Sequence, residues 1–355
     1  MDILIIGTGN CGITYAADLT LKGHKVSLLK SSSRNFDAKM KAIIKNNNTV
    51  YFKDKGIEEN VEIYKITDSY EQAFLEKKDL IILCSQTNYH EEIIIKIKSF
   101  INSDDIIFIQ PGYASTSYFL KHNIMCTIVE AQSSPLDCRV SEEGEALVLF
   151  KNVRNPIGIF PKENFNDAKH KLEQLNYNFV YLKNIFEAAL HNPNLIVHTI
   201  GAIMSIPRIE YTKGDYWMYK EVFTPSVWNL VEQLDQEKNK ILSSLGLPEL
   251  CYVDACKYRN FNDLSIDSKA AFFDYAMNSS PKGPEVSNSR YITEDVSQGL
   301  VLLESLGKLL NVQTNLISSL INIANFSLNK DFRIGGRTLE NLGLTTDVIS
   351  LLIEE

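Results

Sequence analysis

The amino-acid sequence predicts an α/β fold in two parts, a doubly wound sheet followed by a mainly α-helical domain. The chain has 355 residues, which is more than one hydrophobic core ordinarily holds. In the first half, short apolar runs alternate with segments of helical spacing, as in a parallel sheet with crossover helices. From about residue 185, helical spacing dominates. We therefore expect one domain over residues 1–185 and a second over 186–355.

The first domain begins with a buried strand, because the apolar run DILII ends at a glycine. Helical spacing follows, and then the run HKVSLL indicates a second strand. The remaining predicted elements are strands over 79–84, 105–109, 127–131 and 145–150, short strands within 50–64, and helices over 69–77 and 91–101. In the second domain, helical spacing covers 186–206, 225–245, 268–275 and 294–325.

Composition and charge exclude several classes of protein. The net charge is -8 and the pI is near 5.4, whereas a nucleic-acid binder normally carries a basic face. The sequence has no run of about 18 apolar residues, so we expect no membrane span. Six cysteines without CxxC pairs are typical of a reduced cytoplasmic protein and indicate no zinc site. The expected partners are small molecules.

The glycine-rich stretch GTGNCG directly follows the first predicted strand and opens the first helix. In that context the GxGxxG spacing indicates dinucleotide binding in a Rossmann-type doubly wound sheet. Gly7 would permit the tight turn, Gly9 would let backbone amides approach a pyrophosphate, and Gly12 would let the helix pack on the strand. Asn10 and Cys11 lie between these glycines at the helix start. A glycine-rich turn without a ligand is the alternative.

The end of the second strand bears on which nicotinamide cofactor binds. An acidic residue there would hold the ribose 2′-hydroxyl of NAD. The stretch after the strand instead has Lys30, Ser31 and Arg34, and no acid occurs before Asp37. Cationic and hydroxyl groups suit a 2′-phosphate, so we favour NADP(H) and leave NAD(H) open. A solvated polar loop is the alternative.

The stretch HNPNLIVH places polar residues inside a long apolar run. Asn192 is expected to cap a helix that has Pro193 in its first position and continues to about residue 206. Asn194 and His198 are then one turn apart on the same face of this helix. A histidine in apolar surroundings can move a proton near neutral pH, although a satisfied core histidine fits the local pattern equally well.

A second polar constellation, RYITED, precedes another apolar run. Thr293 is expected to be an N-cap, with Glu294 and Asp295 in the first helical turn. Asp295 would stay ionised there and can polarise a histidine, while Arg290, in the entry loop, can bind a carboxylate. The apolar helices after Glu294 suit a domain core, and a homodimer face is the other option.

Five stretches of the sequence together resemble the octopine/nopaline dehydrogenases, the opine dehydrogenase family. Within that family the resemblance is to the N-(1-carboxyethyl)norvaline dehydrogenase type. The five stretches are GTGNCG, EAQSSPLDCR (130–139), NPNLIVH (192–198), RYITED (290–295) and GRTLENLGL (336–344). The resemblance implies a catalytic pair of His198 and Asp295. It also implies that Asn194 and Arg290 bind substrate.

The family's reaction would be an NAD(P)H-dependent reductive condensation of an α-keto acid such as pyruvate with the amino group of an L-amino acid. Two alternatives stay open from the sequence. One is a ketopantoate-reductase-like or glycerol-phosphate-dehydrogenase-like enzyme, which would be expected to use a lysine as proton donor. The other is a non-catalytic NADP(H)-binding sensor, which has no need of a histidine–aspartate pair.

Overall fold

A computed structural model of the chain describes residues 1–32 and 35–354. The chain divides into two compact units. The first contains Met1–Ile185 together with Leu351–Glu355, and the second contains Phe186–Ser350. The C-terminal residues thus group with the first unit, whereas the sequence predicts that they belong to the second domain.

Twelve strands and eighteen α-helices occur in the described residues. The strands are β1 (Asp2–Ile6), β2 (Lys25–Leu29), β3 (Thr49–Asp54), β4 (Ile57–Glu62), β5 (Lys65–Thr67), β6 (Leu80–Leu83), β7 (Ile106–Ile109), β8 (Thr127–Ala131), β9 (Leu136–Val140), β10 (Glu145–Lys151), β11 (Asn155–Phe160) and β12 (Phe179–Tyr181). The helices of the first half are α1 (Asn10–Leu21), α2 (Ala38–Lys45), α3 (Tyr70–Ala73), α4 (His90–Ile97), α5 (Thr116–Lys121), α6 (Phe165–Glu173) and α7 (Ile185–Leu190).

The second half of the chain is helical, as its spacing predicts. Its helices are α8 (Asn194–Met204), α9 (Ile206–Thr212), α10 (Met218–Glu221), α11 (Pro225–Ser244), α12 (Tyr252–Asn260), α13 (Ser268–Asn278), α14 (Arg290–Thr293), α15 (Val301–Leu309), α16 (Asn315–Leu328), α17 (Leu339–Leu342) and α18 (Thr346–Glu354). A π-helix, Asp295–Leu300, joins α14 to α15. In the described part of the chain, no helix is long and apolar enough to span a membrane.

The main sheet of the first unit has eight strands in the order β12-β11-β8-β7-β6-β1-β2-β5. All neighbours are parallel except β8 and β11. From β1 the chain first adds β2 on one side and later β6 on the other, so the strand order reverses at β1. The carboxyl ends of strands at such a reversal form the crevice in which open α/β sheets bind ligands. The predicted fold class, a Rossmann-type sheet followed by a helical domain, is confirmed.

A second sheet, in the order β4-β3-β10-β9, was not foreseen from the sequence. The predicted strands within 50–64 and over 145–150 belong to it and not to the main sheet. Helix α1 packs against strands of both sheets, and every residue from Gly12 to Leu19 is buried. Sequence periodicity could not reveal this cover, because a helix buried on all sides loses the polar face that marks a surface helix. The second sheet therefore fixes the helix that begins at the glycine loop.

Candidate active site

The glycine loop has the close contacts that its sequence predicts. Gly7 has a φ of +125°, and a β-carbon there would lie 2.6 Å from the carbonyl oxygen of Cys84. A β-carbon on Gly12 would lie 1.8 Å from the carbonyl oxygen of Gly7. Only glycine fits at these two positions, since the first needs a left-handed backbone and the second needs close approach of helix and strand.

Gly9 differs from the other two glycines of the loop. Its φ of -78° is available to any residue, and apart from its own chain neighbours no atom of the described residues lies within 4 Å of the place where a β-carbon would be. Local packing thus does not require glycine here, but a phosphate approaching the amino end of α1 would. Asn10 and Cys11 form the first residues of that helix, and the Cys11 thiol contacts the Ser134 hydroxyl at 3.3 Å. The loop therefore fits the dinucleotide that the sequence predicts.

The residues predicted to select between NADP(H) and NAD(H) differ in how far they are exposed. Lys30 is buried, and its Nζ donates a hydrogen bond to the carbonyl of Ser32. Ser31 is half-buried, and its carbonyl accepts a hydrogen bond of 3.0 Å from Tyr70. Arg34 lies outside the described residues. Lys30 and Ser31 thus shape the turn after β2, and they remain predicted cofactor contacts.

Two further residues near this turn are informative. The Asp37 carboxylate caps α2 by accepting the amide of Met40 at 3.1 Å. The first acidic residue after β2 is therefore used locally. Lys39, which the sequence did not single out, places its Nζ 3.3 Å from Oδ1 of Asn10 in the glycine loop. No sequence motif marks a lysine two residues after a helix cap as a cofactor contact. The position of this cation beside the glycine loop is therefore visible only in the folded structure.

Glu130, at the start of the stretch EAQSSPLDCR, stabilises the loop that follows β7. The fully buried Glu130 carboxylate accepts the amides of Ala114 at 3.0 Å and Thr116 at 2.6 Å, and the Thr116 hydroxyl at 2.7 Å. These bonds hold the loop after β7, in which Tyr113 and Ala114 have positive φ values of 50° and 63°. Residues other than glycine keep a left-handed backbone conformation only where the surrounding structure holds them in it, and such residues are often found at functional sites.

The opening of the second unit is close to the prediction. Asn192 Oδ1 accepts the amide of Asn194 at 2.9 Å, which is the bond expected of an N-cap, and α8 begins at Asn194. Helix α8 ends at Met204, within two residues of the predicted end near residue 206. Pro207 has no N–H for the carbonyl one turn earlier, so a new helix follows Ser205.

His191, the other histidine of this stretch, is a support residue. Its Nε2 lies 3.2 Å from the carbonyl oxygen of Pro248. Burial and the nearby Lys238 ammonium lower the pKa of His191 to about 4. It is therefore neutral near pH 7, and it fastens the loop that contains Pro248.

His198 and Asp295 meet inside the second unit. Nδ1 of His198 lies 2.8 Å from Oδ2 of Asp295, and the two residues are 7% and 1% exposed. The ring of Tyr291 stacks on the imidazole with centroids 3.8 Å apart and planes within 5°. With Nδ1 donating to the carboxylate, Nε2 is the ring nitrogen that can take up or release a proton. Tyr291 was not identified from the sequence, because an aromatic residue in a short helix is usually part of the hydrophobic core.

The backbone around Asp295 differs from the prediction. Thr293 is not an N-cap, because the helix already begins at Arg290 and the Thr293 hydroxyl donates back to the carbonyl of Ser289 at 3.1 Å. Arg290 therefore lies in a helical turn and not in an entry loop. Asp295 instead opens the π-helix. Such π-turns are frequent at functional sites, where the extra residue changes the direction of the side chains.

The predicted substrate residues lie near this pair in the chain. Arg290 is exposed, and its Nε lies 3.6 Å from Oε2 of the buried Glu294. Asn194 is half-buried in the first turn of α8, one turn before His198. The structure also reveals the fully buried Arg337, whose Nε donates to Oε1 of Gln298 at 2.8 Å. That bond ties the GRTLENLGL stretch to the π-helix.

Two family models match the chain. The model described as NAD/NADP octopine/nopaline dehydrogenase, alpha-helical domain, matches residues 181–328. The model described as ketopantoate reductase PanE/ApbA matches residues 3–134. The first match covers Asn194, His198, Arg290 and Asp295, and the second covers the glycine loop.

Individual relatives match over nearly the whole chain. An opine dehydrogenase from Arthrobacter sp. (strain 1C) is 27% identical, over 96% of this chain and 94% of the relative. Among solved structures, apo yersinopine dehydrogenase superposes with a TM-score of 0.72 at 16% identity, covering 100% of this chain and 97% of the other. Octopine dehydrogenase with NADH and L-arginine gives 0.69 at 14% identity, covering 100% and 98%. These structures have the same fold.

Proposed function

Because the chain belongs to the octopine/nopaline dehydrogenase family, the opine dehydrogenases, we propose that it catalyses an NAD(P)H-dependent reductive condensation. The amino group of an L-amino acid would attack the carbonyl carbon of an α-keto acid, and water would leave as the imine forms. One hydride and one proton would then convert the imine to a secondary amine, and the reverse oxidation would follow the same steps. The enzyme class is an oxidoreductase acting on the CH–NH group.

The observation that carries the proposal is the buried contact between His198 and Asp295. Loss of water from the keto acid and amine adduct needs a group that moves protons near pH 7. The carboxylate of Asp295 holds one ring nitrogen, so Nε2 would deliver and accept those protons. This arrangement supports a catalytic role for the pair over a satisfied core histidine.

The substrates explain the other predicted residues. Both carry a carboxylate, and Arg290 is the cation that we assign to one of them. Its Nε lies 3.6 Å from Oε2 of Glu294, and its side chain is exposed, so a ligand can reach the guanidinium from solvent. Asn194, with a donor and an acceptor, would hydrogen-bond the substrate from the turn before His198.

The bound nicotinamide cofactor would supply the hydride. Gly7, Gly9, Asn10, Cys11 and Gly12 would hold its pyrophosphate. We favour NADPH, because the turn after β2 contains Lys30 and Ser31, and Lys39 adds a cation beside Asn10. The structure describes all six cysteines as free thiols, which suits a place in the reducing cytoplasm.

A ketopantoate-reductase-like activity is the other candidate, because that family model matches residues 3–134. This match lies within the nucleotide-binding half that such enzymes share with opine dehydrogenases. The sequence of α8, NLIVHTIGAIM, contains a histidine and no lysine. Helix α8 therefore offers the proton-transfer group expected of an opine dehydrogenase.

A substrate panel tests the proposal. The protein is incubated with pyruvate, NADPH and each amino acid in turn, NADPH oxidation is followed, and the product is identified by mass. The expected result is oxidation that requires both substrates, with a product mass equal to amino acid plus pyruvate minus water plus two hydrogens. Oxidation by keto acids without any amine would contradict the proposal and favour the reductase alternative.

A further inference from the structure

Gln110, the residue directly after β7, has a buried side chain with unmet hydrogen-bonding capacity. It is 3% exposed, and neither Oε1 nor Nε2 has a hydrogen-bond partner among the described residues. A buried amide without partners destabilises a fold, because it has lost its hydrogen bonds to water. Such groups are rare in native proteins, and each calls for an explanation.

A second unmet group lies on the neighbouring strand. Strands β6 and β7 pair with Leu83 opposite Ile109, so Ser85 and Gln110 both lie just beyond the carboxyl ends of adjacent strands. In the described part of the chain the Ser85 hydroxyl oxygen is also buried without a hydrogen-bond partner. Two buried polar groups without partners among the described residues therefore lie near the same edge of the sheet.

The backbone around Gln110 is held firmly, so the unmet amide does not come from a loose segment. The backbone N–H of Gln110 donates a hydrogen bond of 3.1 Å to the carbonyl oxygen of Leu83. The loop that follows is fastened by Glu130, through the bonds described above, and by a 2.7 Å contact between His90 and Ser115. The backbone that carries the Gln110 side chain is therefore held in place on both sides of the residue.

The strand order says which half of a dinucleotide passes this place. The pyrophosphate belongs at the glycine loop after β1, and the adenosine ribose belongs at the end of β2. The other half must then extend to the opposite side of β1, over the ends of β6 and β7. Ser85 and Gln110 thus lie on the nicotinamide side of the crevice.

We propose that Gln110, with Ser85 beside it, binds the carboxamide of the nicotinamide ring. This inference rests on the proposed use of NAD(P)H. A carboxamide has one acceptor oxygen and a donor NH₂, which is the complement of what Gln110 offers through Oε1 and Nε2. Pairing the two amides would fix the rotation of the carboxamide and with it the face of the ring.

The test separates the nicotinamide end from the rest of the cofactor. Binding of NADPH and of 2′-phospho-ADP-ribose, which lacks nicotinamide, is measured by calorimetry for the wild type and for Gln110→Met. We expect NADPH binding to weaken about ten-fold in the variant, as for the loss of one to two hydrogen bonds, while 2′-phospho-ADP-ribose binding stays the same. The melting temperature of the ligand-free variant should rise, since an unmet amide has been removed.

A matched control is Ser27→Ala. The Ser27 hydroxyl is also buried without a partner among the described residues, but it lies in the middle of β2, away from the carboxyl edge. This variant should melt at the wild-type temperature or above and bind both ligands as the wild type does. Gln110→Glu, which keeps the shape but replaces the NH₂ group by a carboxyl oxygen, gives the binding result if the methionine variant does not fold.

Unchanged NADPH binding in a folded Gln110 variant would overturn the inference, and so would an equal loss for both ligands. If the wild type binds neither of these ligands nor NADH, the proposed function itself fails. These results are distinguishable, because the first two require a wild type that binds.

Discussion

Nδ1 of His198 lies 2.8 Å from Oδ2 of Asp295, and this bond joins α8 to the start of the π-helix across 97 residues of sequence. Both side chains are buried, so neither has water as its main partner. A buried carboxylate that accepts from one imidazole nitrogen fixes the tautomer and directs the other nitrogen. This geometry supports the proposed role of the pair in proton transfer at Nε2.

Replacing Asp295 by Asn tests the orienting role of the carboxylate. An amide of the same size can still contact Nδ1, but it no longer stabilises a protonated imidazole. We expect kcat to fall about 100-fold or more, within the range of general acid–base contributions, with a smaller change in the KM for the amino acid. Steady-state kinetics check this, and a near-normal kcat would show that the carboxylate is dispensable.

The stacking of Tyr291 on His198 predicts a difference between two substitutions. Tyr291→Phe keeps the ring at 3.8 Å, so kcat should stay near the wild-type value. Tyr291→Leu removes the stacking energy, roughly 0.5–1.5 kcal/mol, and should lower kcat about two- to ten-fold. Equal kcat values for the two variants would mean that the ring does not hold the imidazole.

The glycine loop predicts opposite effects for two alanine substitutions. Gly12→Ala places a β-carbon 1.8 Å from a carbonyl oxygen and should lower the free energy of unfolding by about 1–3 kcal/mol or more. Gly9→Ala meets open space, so its stability should stay within about 0.5 kcal/mol of the wild type, while NADPH binding falls at least about ten-fold. Denaturation and binding titrations check both. Normal NADPH binding by Gly9→Ala would contradict a phosphate site there.

The choice of cofactor can be tested at Lys39, whose Nζ lies 3.3 Å from Oδ1 of Asn10. Lys39→Ala should raise the KM for NADPH about ten-fold, as for loss of a charge-assisted hydrogen bond to the 2′-phosphate, and should change the KM for NADH less, since NADH has only the pyrophosphate. Lys41→Ala, an exposed lysine on the same helix, is the control. A wild type that prefers NADH would refute the interpretation of the turn after β2.

Much of the fold could be predicted because local signals report it. Apolar runs such as DILII predicted the parallel strands, and the glycine spacing predicted the turn at Gly7. The second sheet was missed, because short strands show no sign of which sheet they join. The π-helix was missed as well, because its bonding pattern depends on tertiary packing around Asp295.

The candidate site was only partly predictable for a similar reason. Asn194 and His198 are neighbours in the sequence, and helical spacing alone relates them. The meeting of His198 with Asp295 was inferred from family resemblance, since no local pattern brings together residues 97 apart. Gln110 gave no signal at all, because unmet hydrogen-bonding capacity is a property of the surroundings and not of the residue.

Turnover of His198→Ala tests whether His198 moves the protons of the proposed reaction. Its control is His191→Gln, at the buried histidine that bonds to the Pro248 carbonyl and takes no part in the proposed chemistry. With NADPH, pyruvate and the best amino acid of the panel, His198→Ala should lose about 100- to 10,000-fold in kcat. It should still bind NADPH, and His191→Gln should turn over like the wild type. Wild-type turnover by a folded His198→Ala protein would contradict a catalytic role for His198.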